Sequence, residues 1–358
     1  MGGSPYASPL GRLKALHVAF LPKEALAPMV AARDLAEVEK LLEPTPYGPE
    51  LVRAGATYSG AAVVEVAVNR VFVARHRLVL AAAPFAGKPL VAAYLRRWDI
   101  ENIGLVLAAK AEGRPVTEAE AFLVSSRELP AGLFAGTMGL DDFRSLLAQP
   151  TVDAVANQLV KFGYGPPLLP LLEGYQKSRN IFPLLTALQQ EYYRTLLAGG
   201  RFFQGDEWVV REFLRSEIDE KNLLLLLKGK DGALPVEAVL ARWIAGGSLA
   251  ADRVGDLYNV RGLPELAAQL EGRYPALTEA LPRALEQHSL VPLELALTRA
   301  RIVRELRRLR SYPLSVGILF TFLLLAEIER SDLRRIVYGK MYGVGAEELQ
   351  ASLLLPRL

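Results

Sequence analysis

The sequence predicts an all-α protein, on three observations. Long proline-free stretches carry apolar residues at spacings of three and four. Glycine and proline gather between those stretches, at Pro44–Pro49, Gly113–Pro115, Gly163–Pro167, Gly229–Pro235, Gly246–Gly247 and Gly343–Gly345. No Asn-Gly or Asp-Gly pair sits between alternating runs as a β-hairpin requires; Asp231 and Gly232 are flanked by helical patterns instead.

The elements follow in order. Residues 35–48, LAEVEKLLEPTPYG, form a helical phrase that ends on a tyrosine. Over Ser59–Ala83 the alternation of Val64, Val66 and Val68 invites a strand, but 25 residues exceed a strand's usual length. Val64, Val68, Val71 and Leu78 also fit one helical face, so the segment reads as a helix. Residues 152–165 and 263–275 repeat the phrase that runs into a tyrosine. Trp208–Leu227 and Leu293–Leu309 show helical apolar spacing. Pro313–Ala326, the longest apolar run at 14 residues, is too short to span a bilayer and reads as a buried core helix.

Composition narrows the function classes. Half of the 358 residues (51%) are hydrophobic, which excludes a disordered chain, and the length suggests about two to three domains. Cysteine is absent, so disulfide scaffolds, thiolate zinc sites, iron–sulfur clusters and cysteine nucleophiles are excluded. A net charge of +3, from 42 basic and 39 acidic residues, argues against a nucleic-acid binder. The N-terminal segment has no uninterrupted apolar stretch of signal-peptide length.

A repeat organises the chain. Asp99 and Asn102 are followed by Lys110, Asp219 and Asn222 by Lys230, Glu329 and Asp332 by Lys340. Each lysine stands eight residues after the Asn or Asp. The copies recur after 120 and 110 residues, and Tyr47, Tyr164 and Tyr274 precede them at nearly constant distance. So long a period is no solenoid; it predicts three related helical domains, 1–114, 115–234 and 235–358. The acidic-x-x-Asn element has two readings. One is helix initiation, an Asp N-cap answered from the third helical position and worth about 1 kcal/mol. The other is a buried polar contact between helices or with a partner.

Catalytic signatures fail in turn. No G-x-x-x-x-G-K-S/T, H-E-x-x-H, G-x-S-x-G or S-x-x-K occurs, and His17, His76 and His288 are far apart. No catalytic, cofactor or metal residue is assigned. Asp141 and Asp142 hint at an all-α metal-dependent enzyme acting on phosphorylated lipids, but no second acidic cluster matches. Arg299, Arg301, Arg304, Arg307, Arg308 and Arg310 form a basic stripe on one helix, read either as a solvated face or as a surface for an acidic partner or anionic lipid. The aromatic pairs Tyr192-Tyr193 and Phe202-Phe203 read as core.

Four segments carry a resemblance. WDIENIGLVLAAKAEGRP (98–115), FLRSEIDEKNLLLLLKGK (213–230), PLSVGILFTFLLLAEIERSDLRRIVYGKMYGV (313–344) and LLEPTPYGPEL (41–51) resemble, in this order and spacing, the C subunit of V/A-type ATPases (ATP synthases), the counterpart of the d subunit in eukaryotic V-type pumps. In that family the C-terminal segment is an apolar helix, an acidic helix and a small-residue turn. The resemblance implies three similar helical domains around a pseudo-threefold axis, forming a funnel with a central cavity. It implies a non-catalytic rotor subunit, one copy per complex. Its implied role is to couple the central-stalk subunits D and F to the membrane proteolipid ring of a rotary ATPase, for ATP-linked proton or other ion transport. It also implies a peripheral membrane protein on the cytoplasmic face, with no cofactor. A stand-alone helical adaptor is the alternative role.

Overall fold

The computed structural model describes residues 4–15, 20–113, 138–199 and 207–354. Among them every regular element is helical and none is a strand. The chain divides into two compact units, one holding the described residues up to Leu188 together with those from Ile318 onward, the other Gln189–Gly317.

The first unit opens with α1 (Ala7–Ala15), α2 (Lys23–Ala31), α3 (Leu35–Leu42), α4 (Gly48–Gly55) and α5 (Ala61–Ala82). The Asp34 side chain starts α3 by accepting the Glu37 N–H at 3.0 Å, an N-cap bond. The segment with alternating valines is the helix expected, α5. Val64, Val66, Val68, Phe72 and Val79 are all buried, since the helix packs on nearly every side. That is why its apolar residues show no clean single-face period. Then come α6 (Lys88–Leu95), α7 (Arg97–Ala111), α8 (Leu140–Leu147), α9 (Val152–Gln158) and α10 (Leu172–Ser178). The unit boundary falls inside α11 (Phe182–Gly199).

The second unit contains α12 (Glu207–Asp231), α13 (Val236–Leu240), α14 (Val254–Asn259), α15 (Gly262–Leu270), α16 (Pro275–Glu286) and α17 (Val291–Arg310). α18 (Gly317–Met341) and α19 (Ala346–Ser352) belong to the first unit from Ile318 on. The apolar run expected to be a buried helix is the start of α18, with Leu319, Phe320, Leu323 and Leu324 buried. It continues without a break through Glu329 and Asp332, so the apolar and acidic helices implied by the resemblance are one helix of 25 residues here. Among the described residues no helix is long and apolar enough to cross a membrane.

Among the described residues, three of the buried cores each form around the second half of one long helix. In the first unit, Ile103, Val106 and Leu107 of α7 pack with residues from α8, α9 and α11. Leu333, Ile336 and Val337 of α18 pack with residues from α2, α3, α4 and α5. In the second unit, Leu223, Leu226 and Leu227 of α12 pack with residues from α15, α16 and α17. Each triplet stands one, four and five positions after the Asn or Asp of its motif, the spacing that aligns side chains on one helical face.

Candidate functional site

The repeated motif residues all sit on these three helices, and there the helix-initiation reading gives way. Asp99 lies in the first turn of α7 without capping it, while Asp219 and Glu329 lie deep inside α12 and α18. All three carboxylates are buried. A side chain in mid-helix has no free helical N–H to cap, so its acceptors turn to tertiary partners instead. The second reading, a buried polar contact, describes what they do.

Each acid meets a tyrosine and an arginine. Tyr164 donates its hydroxyl to Asp99 Oδ2 at 2.8 Å, and Arg96 Nε donates to the Tyr164 oxygen at 2.9 Å while stacking 4.6 Å from the ring centroid. Glu329 accepts from Tyr47 at 2.5 Å, from Arg75 at 2.7 Å and from the Leu21 N–H at 2.6 Å. Burial, then the Glu329 charge, pushes the Tyr47 phenol well above its ordinary value, so it remains a donor. Asp219 is held differently: it accepts the Ser248 N–H at 2.7 Å, the Leu249 N–H at 3.1 Å and the Ser248 hydroxyl. Gly247 allows that approach, since a Cβ there would overlap the Asp219 carboxylate.

The tyrosine register differs from the linear one. Asp99 takes the tyrosine that follows it, Tyr164, and Asp219 lies beside the one that follows it, Tyr274. The last acid, Glu329, takes Tyr47 from near the start of the chain. A linear reading groups each tyrosine with the copy after it, because the closing pair is separated by 282 positions.

The other motif residues pin neighbouring chain to the same helices. Asn222 exchanges two hydrogen bonds with the backbone of Ile244, Nδ2 to the carbonyl at 2.8 Å and the N–H to Oδ1 at 3.0 Å. Asp332 accepts the Leu354 N–H at 2.6 Å, at the same sequence offset. Asn102 donates to Trp98 within its own helix; residues at the matching offset lie outside the described residues. All three lysines donate to backbone carbonyls, Lys110 to Leu147 at 2.5 Å, Lys230 to Tyr258 at 2.7 Å, and Lys340 to Val30. An ammonium offers three donors and suits several carbonyls at a loop end.

The basic stripe on α17 divides. Arg307 and Arg310 are exposed, as a solvated face requires. Arg301 pairs with Glu220 of α12, and Arg304 donates to Ser216 Oγ at 2.7 Å. Arg304 and Arg308 both pair with Glu305, which is 0% exposed. Arg299 is half-buried. A helix this rich in arginine hid the acids that hold it. The local sequence gave no sign of Glu305's burial, or of the roles of Arg75 and Arg96.

The remaining candidates have structural places. Asp142 accepts the Gly139 N–H at 2.8 Å and closes the start of α8, while Asp141 is exposed and paired with Arg144. His76 Nδ1–H donates to the Phe72 carbonyl at 2.9 Å, and burial pushes its pKa down to about 3. His288 is exposed. Tyr192 and Tyr193 are buried with centroids 4.9 Å apart. His17 and Phe202-Phe203 lie outside the described residues. Chemically, the motif sites fasten helices to adjacent chain through buried polar groups.

Comparison with known proteins identifies the family. The sequence model of the ATP synthase (C/AC39) subunit family matches residues 9–352. The chain is 35% identical to the C subunit of the A-type ATP synthase of Thermoplasma acidophilum over 355 residues, covering 99% of each chain. It is 31% identical to that of Thermoplasma volcanium, covering 96% of each. Identity to that of Methanocaldococcus jannaschii is 25%, over 98% of this chain and 86% of the relative. The chain belongs to the C/AC39 subunit family of ATP synthases.

Proposed function

We propose that this chain is the non-catalytic coupling element of the rotor. It seats on the cytoplasmic face of the proteolipid ring, receives the end of the axle formed by subunits D and F, and passes torque between them, one copy per complex. The observation that carries this reading is the repeated buried clip. A carboxylate and a lysine fix each of three long helices to adjacent chain, and an amide or acid does so for the second and third. Close-packed interiors resist deformation and transmit strain, which torque transfer demands. Membership of an ATP synthase subunit family supports the setting. Three related domains, expected as 1–114, 115–234 and 235–358 about a pseudo-threefold axis, belong to the same reading. Its support is that three buried cores among the described residues carry one motif helix each.

The test is extraction from membranes in mild detergent. The chain should co-purify with the ring and axle subunits, and the isolated chain should not hydrolyse ATP. Removing it should uncouple ATP hydrolysis from ion movement while the catalytic head stays active. Recovery of an active, coupled complex without this chain would overturn the proposal.

A further inference from the structure

The three clips are not equivalent, and the second has left part of its machinery unused. In the first and third, the tyrosine hydroxyl donates to the acid and the arginine is engaged beside it. In the second, Ser248 has taken the acid. Asp219 is filled by two backbone N–H groups and a hydroxyl, and Arg273 approaches it only to 3.9 Å. The Tyr274 hydroxyl is buried, the residue being 8% exposed, and makes no close hydrogen bond, with Ser248 and Asp219 as its polar neighbours.

What Tyr274 faces is a pair of adjoining cavities in the second unit, of about 250 and 200 Å³, which share Ser216, Arg273, Tyr274 and Arg304 in their walls. The first continues onto the apolar side chains of Leu223, Leu297 and Ala300. The second is ringed by Arg215, Arg273, Arg304 and Arg308. The acids of the two cavities are Glu212, Asp219 and Glu220 in the walls and Glu305 behind them, so five guanidinium groups, Arg301 included, meet four carboxylates. Arg273 and Arg304 are 52% and 42% exposed at the side chain, so each presents donors to the cavity that its protein partners do not fill. Planar guanidinium forks match tetrahedral oxyanions in pairs of parallel N–H···O bonds.

We propose that this cavity binds a phosphate group, carried either as free phosphate or as the phosphodiester of a lipid headgroup. Arg273 and Arg304 clamp the oxygens, and the Tyr274 hydroxyl donates to one of them. Burial and then the Asp219 charge push the Tyr274 phenol up to about 12, which keeps that proton in place at neutral pH.

The test uses the full chain. Isothermal titration with inorganic phosphate, against chloride at equal ionic strength, forms one arm. Flotation with phosphatidylglycerol vesicles, against phosphatidylcholine vesicles, forms the other. Arg273→Gln or Arg304→Gln should weaken binding roughly tenfold, the scale of a charge-assisted bond. Tyr274→Phe, which keeps the ring, should weaken it less. Arg307→Gln and Arg310→Gln, on the same helix but outside the cavity, should leave it unchanged. Binding in the phosphate arm identifies a soluble ligand, and binding in the vesicle arm alone identifies a headgroup; either supports the site. Absence of binding in both arms, or equal losses from Arg307→Gln and Arg304→Gln, overturns it.

Discussion

Neutralising Glu329 tests the clip most directly. The carboxylate is buried and accepts from Tyr47, Arg75 and the Leu21 N–H. Its ionic partner is buried too, with Arg75 8% and Glu329 3% exposed at the side chain. Glu329→Gln keeps the shape and one acceptor oxygen but removes the charge that faces the guanidinium, whose neighbours include the Tyr47 hydroxyl at 3.4 Å and the faces of Phe20 and Tyr47. Removing one partner of a buried pair costs about 3–5 kcal/mol, because the survivor is left charged and uncompensated. Amide hydrogen exchange along α5 and α18 reads the loss locally, as protection falling by about two to four decades. Arg75→Met should cost a similar amount. The double variant should cost clearly less than the two losses together, since no stranded charge remains. If each single change costs under about 1 kcal/mol, as an exposed pair would, or if the costs simply add, the reasoning fails.

Asn222→Ala removes both bonds to Ile244 and leaves a buried N–H and carbonyl unpaired, so denaturant unfolding of the full chain should show a loss of about 2–4 kcal/mol. Gly247→Ala drives a Cβ against the Asp219 carboxylate and should cost about 1–3 kcal/mol by the same measurement, with Gly255→Ala, which meets nothing, as the neutral control. His76 has a folded pKa near 3 against an ordinary 6.5. The unfolded chain therefore binds the extra proton, and this stabilisation is complete above about pH 6.5 and is lost as pH falls towards 3. Comparing the wild type with His76→Gln between pH 7.5 and pH 5, both chosen to bracket about the ordinary histidine pKa, should show a wild-type slope steeper by up to about 1.4 kcal/mol per pH unit. Parallel curves would refute it.

The sequence carried the helices plainly, because their signal is local. The length of Ser59–Ala83 outweighed its valine alternation, and α5 is a helix. The motif residues were equally visible, since a fixed spacing on one helix repeats with the helix. Their roles were not. An Asp three positions before an Asn has the composition of a helix start, and only burial of α12 and α18 along their middles reveals an interior anchor. The tyrosine pairing escaped for a different reason. Glu329 and Tyr47 meet across most of the chain, and no periodicity encodes a contact of that separation. Arg301, Arg304 and Arg308 read as surface because six arginines on one helix outnumber the acids within it, while Glu220 comes from α12.

The bond from Tyr47 to Glu329 also dictates when the molecule can be finished. During synthesis α2 to α5 leave the ribosome early, yet the helix that buries their apolar faces is translated only after Gln189–Gly317. The second unit can collapse around α12 as soon as it emerges, whereas the opening segment must wait with Val38, Leu42 and Val64 uncovered. Nascent chains stalled before α18 should therefore hold a protease-resistant middle and a vulnerable beginning, inverting the usual order in which the first-made part is the first to be safe.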